Sequence, residues 1–261
     1  MRNFLKDPRL EGVDVDSDDL LNIHHQILLE KRMMHDVFSE FYQTCIKLDN
    51  KYFSGNGLRV EIGAGVSFFK KQHPEIISTD IKAAENLDKV INALDMDFED
   101  LSVRAIYGIN CFHHFPDPDK FFQELNRVLV KGGGCVLIEP YYGFLGKRFF
   151  KKLFDTETFD MSQKDWKNPE NQVMTGANQA LSYVVFKRDY EKFAAMYPSL
   201  SIVYHSPIKN YPRYLLSGGL NFRSLLPGWT SPALKIFEFC ISPLKRLFGL
   251  HHVIVIRKSN N

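Results

Sequence analysis

Four short stretches carry side chains whose types and spacing could do chemistry. Val60-Glu61-Ile62-Gly63-Ala64-Gly65-Val66-Ser67 brings an acidic residue to the end of an apolar run and follows it with a turn holding two glycines. Glycine lets a backbone turn tightly and approach a ligand closely, and a helix starting after such a turn offers N–H groups to an anionic part of that ligand. The nicotinamide fingerprint G-x-G-x-x-G fails, because its third glycine falls on Phe68; the spacing E-x-G-x-G-x-(G/S) fits, with Ser67 in the last place. Asp80 stands nineteen residues after Glu61 at the end of a second apolar run. A carboxylate there accepts hydrogen bonds from both hydroxyls of a ribose diol. Asp95, in Asn92-Ala93-Leu94-Asp95-Met96, is placed to accept from an exocyclic adenine amine. His113 and His114 follow a fourth run; an imidazole titrates near neutral pH and can act as a general base. The alternative for this pair is packing or hydrogen-bonding within a loop.

These residues must be held by regular elements. Leu20, Ile23, Ile27, Met34, Phe38, Phe41 and Cys45 recur at spacings of three or four, which predicts a helix from about Asp18 to Asp49, with Asp16, Ser17 or Asp18 as its cap. Alternation then predicts strands at Leu58–Ile62, Ile76–Ile81, Lys89–Asn92, Val103–Asn110 and Cys135–Pro140, with helices at Val66–Gln72 and from Asp117 to a stop at Gly132–Gly134. Beyond Pro140 the pattern loosens. A helix is predicted at Lys187–Tyr197, and strands at Leu200–His205 and Val253–Arg257. Strand, helix, strand at this rhythm means parallel βαβ units and a doubly wound sheet.

Between Leu58 and Pro140 the sequence resembles the class I S-adenosylmethionine-dependent methyltransferases, and among them the type 11 methyltransferase domain family. The residues that carry the likeness are VEIGAGVS, Ser78-Thr79-Asp80, NALDM, INCFHHFPDPDKFFQELNRVLVKGGG and LIEPY. The resemblance implies a Rossmann-like, mostly parallel sheet with an antiparallel last strand. It implies a helical N-terminal cap over residues 1–54 and a catalytic domain over 55–261, with insertions after strands five and six at about 143–182 and 207–250. It implies S-adenosylmethionine as cofactor. Glu61, Gly63, Ala64 and Gly65 would cradle the methionine moiety and Asp80 would bind the ribose. Ile81 would pack on the adenine, Asp95 would meet its amine with the Met96 backbone nearby, and Asn110 would sit near the reactive methyl. His113 or His114 would line the methyl site. Departures from the family pattern are Ser67 for glycine and Lys131 before Gly132-Gly133, where proline is frequent.

Composition bounds the rest. The chain has 261 residues, 44% hydrophobic and 25% charged, with a net charge of +2, which suits a globular enzyme and argues against a general nucleic-acid coat. Cys45, Cys111, Cys135 and Cys240 are scattered and give no zinc signature; they fit reduced thiols in the cytoplasm. The histidine pairs lack matching carboxylate spacing, so no metal site is expected. No secretory signal and no run long enough to span a membrane is read. His24, His25, Lys31, Arg32 and His35 are read as a solvated helical face; the alternative, by the resemblance, is a helix that covers cofactor and substrate. Phe144 to Phe154 sets Lys147, Arg148, Lys151 and Lys152 against Phe149, Phe150, Leu153 and Phe154. Leu234 to Phe248 sets Ile236, Phe237, Cys240, Ile241, Leu244, Leu247 and Phe248 against Lys235, Glu238, Lys245 and Arg246, with a break expected at Pro243. Such stretches pack on their own domain or touch a membrane surface. The expected activity is methyl transfer to a small-molecule acceptor, O-directed onto a glycan or lipid-linked intermediate. The alternatives are C-methylation of a quinone-like lipid and a cofactor-binding module without catalysis.

Overall fold

The computed structural model describes residues 5–13, 18–153, 157–169, 176–209 and 211–260. Asp16 and Ser17, two cap candidates, and Phe154 of the first amphipathic stretch lie outside the described residues. The alternating runs become β1 (Leu58–Ile62), β2 (Ile76–Asp80), β3 (Lys89–Val90), β4 (Val103–Ile109), β5 (Leu129–Pro140), β6 (Leu200–Pro207) and β7 (His251–Lys258). The helices are α1 (Asp18–Glu30), α2 (Arg32–Tyr52), α3 (Phe69–Gln72), α4 (Pro118–Val128), α5 (Phe144–Leu153), α6 (Leu181–Tyr183), α7 (Tyr190–Met196), α8 (Tyr211–Leu216), α9 (Ser231–Cys240) and α10 (Lys245–Phe248).

The strands form one sheet in the order β3-β2-β1-β4-β5-β7-β6. Pairings from β3 to β5 are parallel, and β7 runs antiparallel to both β5 and β6. This direction places the site. Parallel strands bring their C-terminal ends to a common edge, so Gly63, Ile81 and Asn110 emerge together. The reversed β7 brings its first residue there too, with His251 opposite Pro140. Ligands of doubly wound sheets bind at this edge.

Period-two alternation splits the core between the two faces. Val60, Ile62, Ile106, Cys135, Leu137, Ile254 and Ile256 face one helical layer, where α4 supplies Phe121, Phe122, Leu125 and Val128. Each fully buried side chain of this size contributes roughly 1.5–3 kcal/mol. Ala105, Tyr107, Val136, Ile138, Val253 and Val255 face the other layer, where α2 supplies Val37, Phe38, Phe41, Tyr42, Cys45 and Leu48. Most of the described phenylalanines therefore build the core rather than the basic insertions; Phe144, Phe237 and Phe239 are exposed.

Several boundaries differ from the sequence reading. The N-terminal helix is two helices, broken at Lys31, whose backbone is extended and whose ammonium donates to the carbonyls of Gly219 and Phe222. The helix after the glycine turn begins at Phe69 rather than Val66. α4 ends at Val128 and β5 starts at once, so Gly132–Gly134 lie inside the strand. A Cβ on Gly134 would collide with the Phe53 ring. A π-helical turn, Val184–Arg188, precedes α7, which shortens the predicted helix. The break at Pro243 is present, between α9 and α10.

The buried carboxylate of Asp49 ties α2 to the sheet. It accepts from Arg59 Nε at 2.8 Å, Arg104 Nε at 3.0 Å and the Tyr107 hydroxyl at 2.7 Å. Removing one member of such a cluster leaves two guanidinium groups and a hydroxyl uncompensated. Asp49→Ala is expected to lose about 3 kcal/mol in urea unfolding. A loss below about 0.5 kcal/mol, the range of an ordinary surface change, would contradict this role.

Candidate active site

The glycine turn is held from below. Gly63 and Gly65 have φ of +60° and +31°, and a Cβ on Gly63 would run into the Cys111 side chain. Ala64 N donates to Thr79 O at 2.9 Å, joining the turn to β2. Gly65 N donates to Asp80 Oδ2 at 2.8 Å, and Lys82 N to Oδ1 at 3.0 Å. Each Asp80 oxygen thus has one backbone donor, with acceptor capacity left for a ribose diol. Glu61 is buried under the turn, accepting from the Ser78 hydroxyl at 3.0 Å. Burial pushes its carboxyl up to about 8, against the hydrogen bonds of Ser67 and Ser78, with the charge of Asp80 adding to the rise. Glu61 therefore shapes the turn from inside the protein. Ser67 turns inward as well, its hydroxyl 3.1 Å from that of Tyr42. Because α3 has only four residues, this edge presents the turn's own backbone rather than a helix terminus.

α1 lies over this turn. His25 Nδ1 is 2.8 Å from Val66 O, and a Cβ on Gly65 would meet Leu21 at 3.4 Å. The solvated-face reading fails for His24, His25, Lys31 and His35, which are all half-buried. His35 stacks on Phe68 with centroids 4.3 Å apart. Ile81 and Asp95, the residues expected to meet the adenine, are exposed. Met96 is buried, and its backbone is taken by Glu124, which accepts from its N–H at 2.7 Å, and by Arg127, which donates to its carbonyl.

The loop after β4 hangs on one side chain that the sequence reading did not single out. Glu139, buried at the end of β5, accepts from Cys111 N at 3.0 Å, Phe112 N at 2.9 Å and His113 N at 3.4 Å. Its Oε2 is also 2.6 Å from His113 Nδ1. On the other side of the ring, His113 Nε2 is 3.4 Å from Glu157 Oε2. Burial alone would lower the His113 pKa, but the charge and hydrogen bond of Glu139, joined by Glu157, push it up to about 10. Burial would likewise raise Glu157, but the His113 hydrogen bond and charge hold it down to about 2. His113 thus sits buried between two carboxylates that favour its protonated form, with Nδ1 held by Glu139 and Nε2 facing Glu157, an arrangement that suits a positioning role better than that of a base. His114, half-buried with its ring centroid 4.2 Å from that of His113, lines the cavity beside it, together with His24 and His251. Ligand atoms of His113, His114 and Glu157 lie within 4.8 Å of one another, a grouping across long sequence separation that local spacing could not reveal.

Beside this loop is a cavity of about 290 Å³. Phe149, Phe150, Tyr214, Leu215 and Leu220 give it apolar walls, and His24, Asn110, His114, Glu157, Gln179 and His251 supply polar ones. Four buried polar atoms that have no hydrogen-bond partner among the described residues belong to residues lining it: His24 Nε2, Asn110 Oδ1, Gln179 Oε1 and His251 Nδ1. Orphaned groups of this kind are rare unless a ligand or water satisfies them. Burial holds His24 near 4 and His251 near 3, so both are neutral imidazoles at pH 7. Asn110 has φ of +53°, a left-handed conformation that turns the chain at the β4 end and leaves its amide on the cavity wall. Tyr141 and Tyr142 are not lining residues; they pack on His252 and on each other.

Residues 63–137 match the methyltransferase domain family. The whole chain is similar in fold to geranyl diphosphate C-methyltransferase from Streptomyces coelicolor A3(2), a structure containing Mg²⁺, geranyl diphosphate and S-adenosyl-L-homocysteine. The TM-score is 0.52 at 14% identity, covering 95% of this chain and 85% of that one. It is also similar to the CurJ carbon methyltransferase, with a TM-score of 0.52 at 16% identity over 97% of this chain and 61% of that one. The family match over residues 63–137 and the seven-stranded Rossmann-like sheet agree with the fold of the class I S-adenosylmethionine-dependent methyltransferases. The residues fit S-adenosylmethionine: a turn with no room for a side chain at Gly63, a strand-end carboxylate, Asp80, with acceptor capacity left, and a buried Asn110 Oδ1 that has no partner among the described residues.

Two measurements check this geometry. Asp80→Ala is expected to weaken S-adenosylhomocysteine binding by about 100-fold in calorimetry, since two hydrogen bonds to a charged acceptor are lost; an unchanged Kd would contradict the ribose role. His113 has a folded pKa above its ordinary 6.5, so its stabilisation is complete below about pH 6.5 and is lost as pH rises through about 10. Across that window the parent chain should lose urea stability relative to His113→Gln, and parallel stability curves would contradict a charged His113.

Proposed function

We propose that the acceptor is an amphiphilic small molecule, an apolar body carrying a hydroxyl, methylated at oxygen in the cavity beside Asn110. The observation that carries this reading is the cavity's division into aromatic and aliphatic walls and a small set of unpaired polar atoms. Apolar walls hold a hydrophobic body, and His24, Gln179 and His251 fix its polar end. A lipid-linked intermediate suits that lining.

S-adenosylmethionine, when bound, supplies an electrophilic methyl group on a sulfonium. The chain's own residues do the remainder. The Gly63–Gly65 turn and Asp80 hold the methionine and ribose portions, and Ile81 with Asp95 receives the adenine. Asn110 stands between this cleft and the cavity, so the acceptor oxygen approaches the methyl from the cavity side. His24 of α1 and the loop from Gly218 to Leu225 line the cavity beside this junction; a site that keeps water out there serves alignment and prevents hydrolysis. His114 accepts the hydroxyl proton at an imidazole nitrogen. Ionised Glu157 keeps His113 charged, and the His113–Glu139 pair keeps the loop carrying His114 in place. A second reading, methylation at carbon, has one observation in its favour: Glu157 is ionised on the cavity wall and could take a proton from carbon.

His114→Gln is expected to lower kcat for a hydroxylated amphiphile by about 10²- to 10⁴-fold, the range of a lost general base, with the S-adenosylhomocysteine Kd unchanged. Retained kcat would remove His114 from the proton path. Transfer to alkenes but not to alcohols, abolished by Glu157→Gln, would replace the oxygen reading with the carbon one.

A further inference from the structure

The two amphipathic insertions do not bury their apolar faces in the expected way. α9 is turned inside out. Its one acidic residue, Glu238, points into the protein and is 1% exposed, accepting from Arg213 N and Arg213 Nε at 2.8 Å each. Arg213 in turn donates to both oxygens of Glu40 on α2. This buried cluster sets the rotation of α9, and in doing so aims Ile236, Phe237 and Phe239 at solvent. They are 67%, 52% and 66% exposed. Trp229 just before α9 is 74% exposed, Leu225 is exposed on the preceding loop, and Leu247 is exposed on α10. α10 packs against α5, where Phe144 is also exposed. Contiguous apolar surface of this kind marks an interaction site on a folded protein.

Charge identifies the occupant. Residues 144–153 and 207–250 contain ten Lys and Arg and a single acidic residue, Glu238; with Arg213 buried against Glu238 and Lys235 paired with Glu40, eight cations remain, and the rest of this +2 chain is net negative. Cations sit directly on the exposed rings: Lys209 Nζ is 4.9 Å from the Phe239 centroid and the Arg148 guanidinium is 3.7 Å from that of Phe144. Aromatic and aliphatic side chains interleaved with basic heads match an anionic lipid headgroup layer above an acyl boundary. A second copy of the chain would bring the same positive charge onto itself. Among the described residues no helix is long and apolar enough to cross a membrane, so the contact is with the surface. The face also continues into the cavity. Leu225 is exposed on one and lines the other, and α5 contributes Phe149 and Phe150 to the cavity wall.

We propose that the face formed by Trp229, α9, α10 and the start of α5 docks this methyltransferase on an anionic bilayer. Leu225 then marks the passage of the acceptor from lipid to cavity. This deepens the amphiphile reading, on which its purpose rests, while the docking itself stands on the exposed residues and their charge.

The two tryptophans make the test direct. Trp166 is 1% exposed and bonded to Asp189, so a change in emission on lipid binding reports Trp229. Vesicles of phosphatidylcholine with phosphatidylglycerol, at low salt, should shift Trp229 emission to the blue, and brominated lipid should quench it. Affinity should exceed that for phosphatidylcholine alone by at least about tenfold. Trp229→Phe should abolish the signal but not co-sedimentation. A Phe237→Ser/Phe239→Ser variant should lose about tenfold or more in affinity while keeping S-adenosylhomocysteine binding. No shift and no co-sedimentation would overturn the proposal. So would a double variant that binds vesicles as the parent does but turns a dimer into a monomer, because a second copy would then cover this face. Failure of the amphiphile reading looks different: vesicle binding persists, but no solubilised amphiphile is methylated.

Discussion

The active-site edge depends on the buried carboxylate of Glu139. A charge at the end of an apolar strand is costly unless its oxygens are satisfied, and Glu139 satisfies them with three consecutive backbone N–H groups and the His113 ring. The bonds run from β5 across to the loop after β4, and they act on position as much as on energy. They hold Cys111–His113 in a tight turn and leave Asn110 in the left-handed region at its mouth. They also orient and charge His113, which holds Glu157 ionised on the opposite side. His114, Asn110 and Glu157 therefore occupy defined places on the cavity wall because of a residue that does not line it.

The sheet supplies the second constraint. Its parallel half collects the cofactor residues at one edge, and the reversed β7 returns His251 to the same edge from the far end of the chain. The glycine turn and the cavity beside Asn110 thus come together near the end of β4. The N-terminal helices close the arrangement from above. Their break at Lys31 lets α2 pack flat on the sheet while α1 tilts across the glycine turn, with Lys31 bonded to the 217–225 loop that forms part of the cavity.

Much of this was legible in the sequence wherever the signal was local. The Glu61–Ser67 turn and the βαβ rhythm gave the sheet and the cofactor class. Boundaries moved where distant partners decided them: Gly132–Gly134 looked like a helix stop but lie in β5, because Phe53 and β7 come too close for side chains. The same limit hid the acceptor wall. Gln179, Glu157, His24 and His251 share a cavity only after long loops fold back. The one local clue to Glu139 was a carboxylate ending the apolar run Cys135–Ile138. The rotation of α9 was illegible for the same reason. Its sequence says that one face is apolar, but Arg213 and Glu40, far apart in the chain, decide that this face points outward.

The central claim is that the cofactor cleft and the acceptor cavity join at Asn110, on a loop that Glu139 positions. A crystal structure of the chain with S-adenosyl-L-homocysteine tests it most directly. The account predicts the ribose hydroxyls on Asp80, and the thioether sulfur in contact with Asn110 and open to the cavity lined by His114 and His251. A ligand lying elsewhere, or one whose sulfur faces away from that cavity, would contradict it.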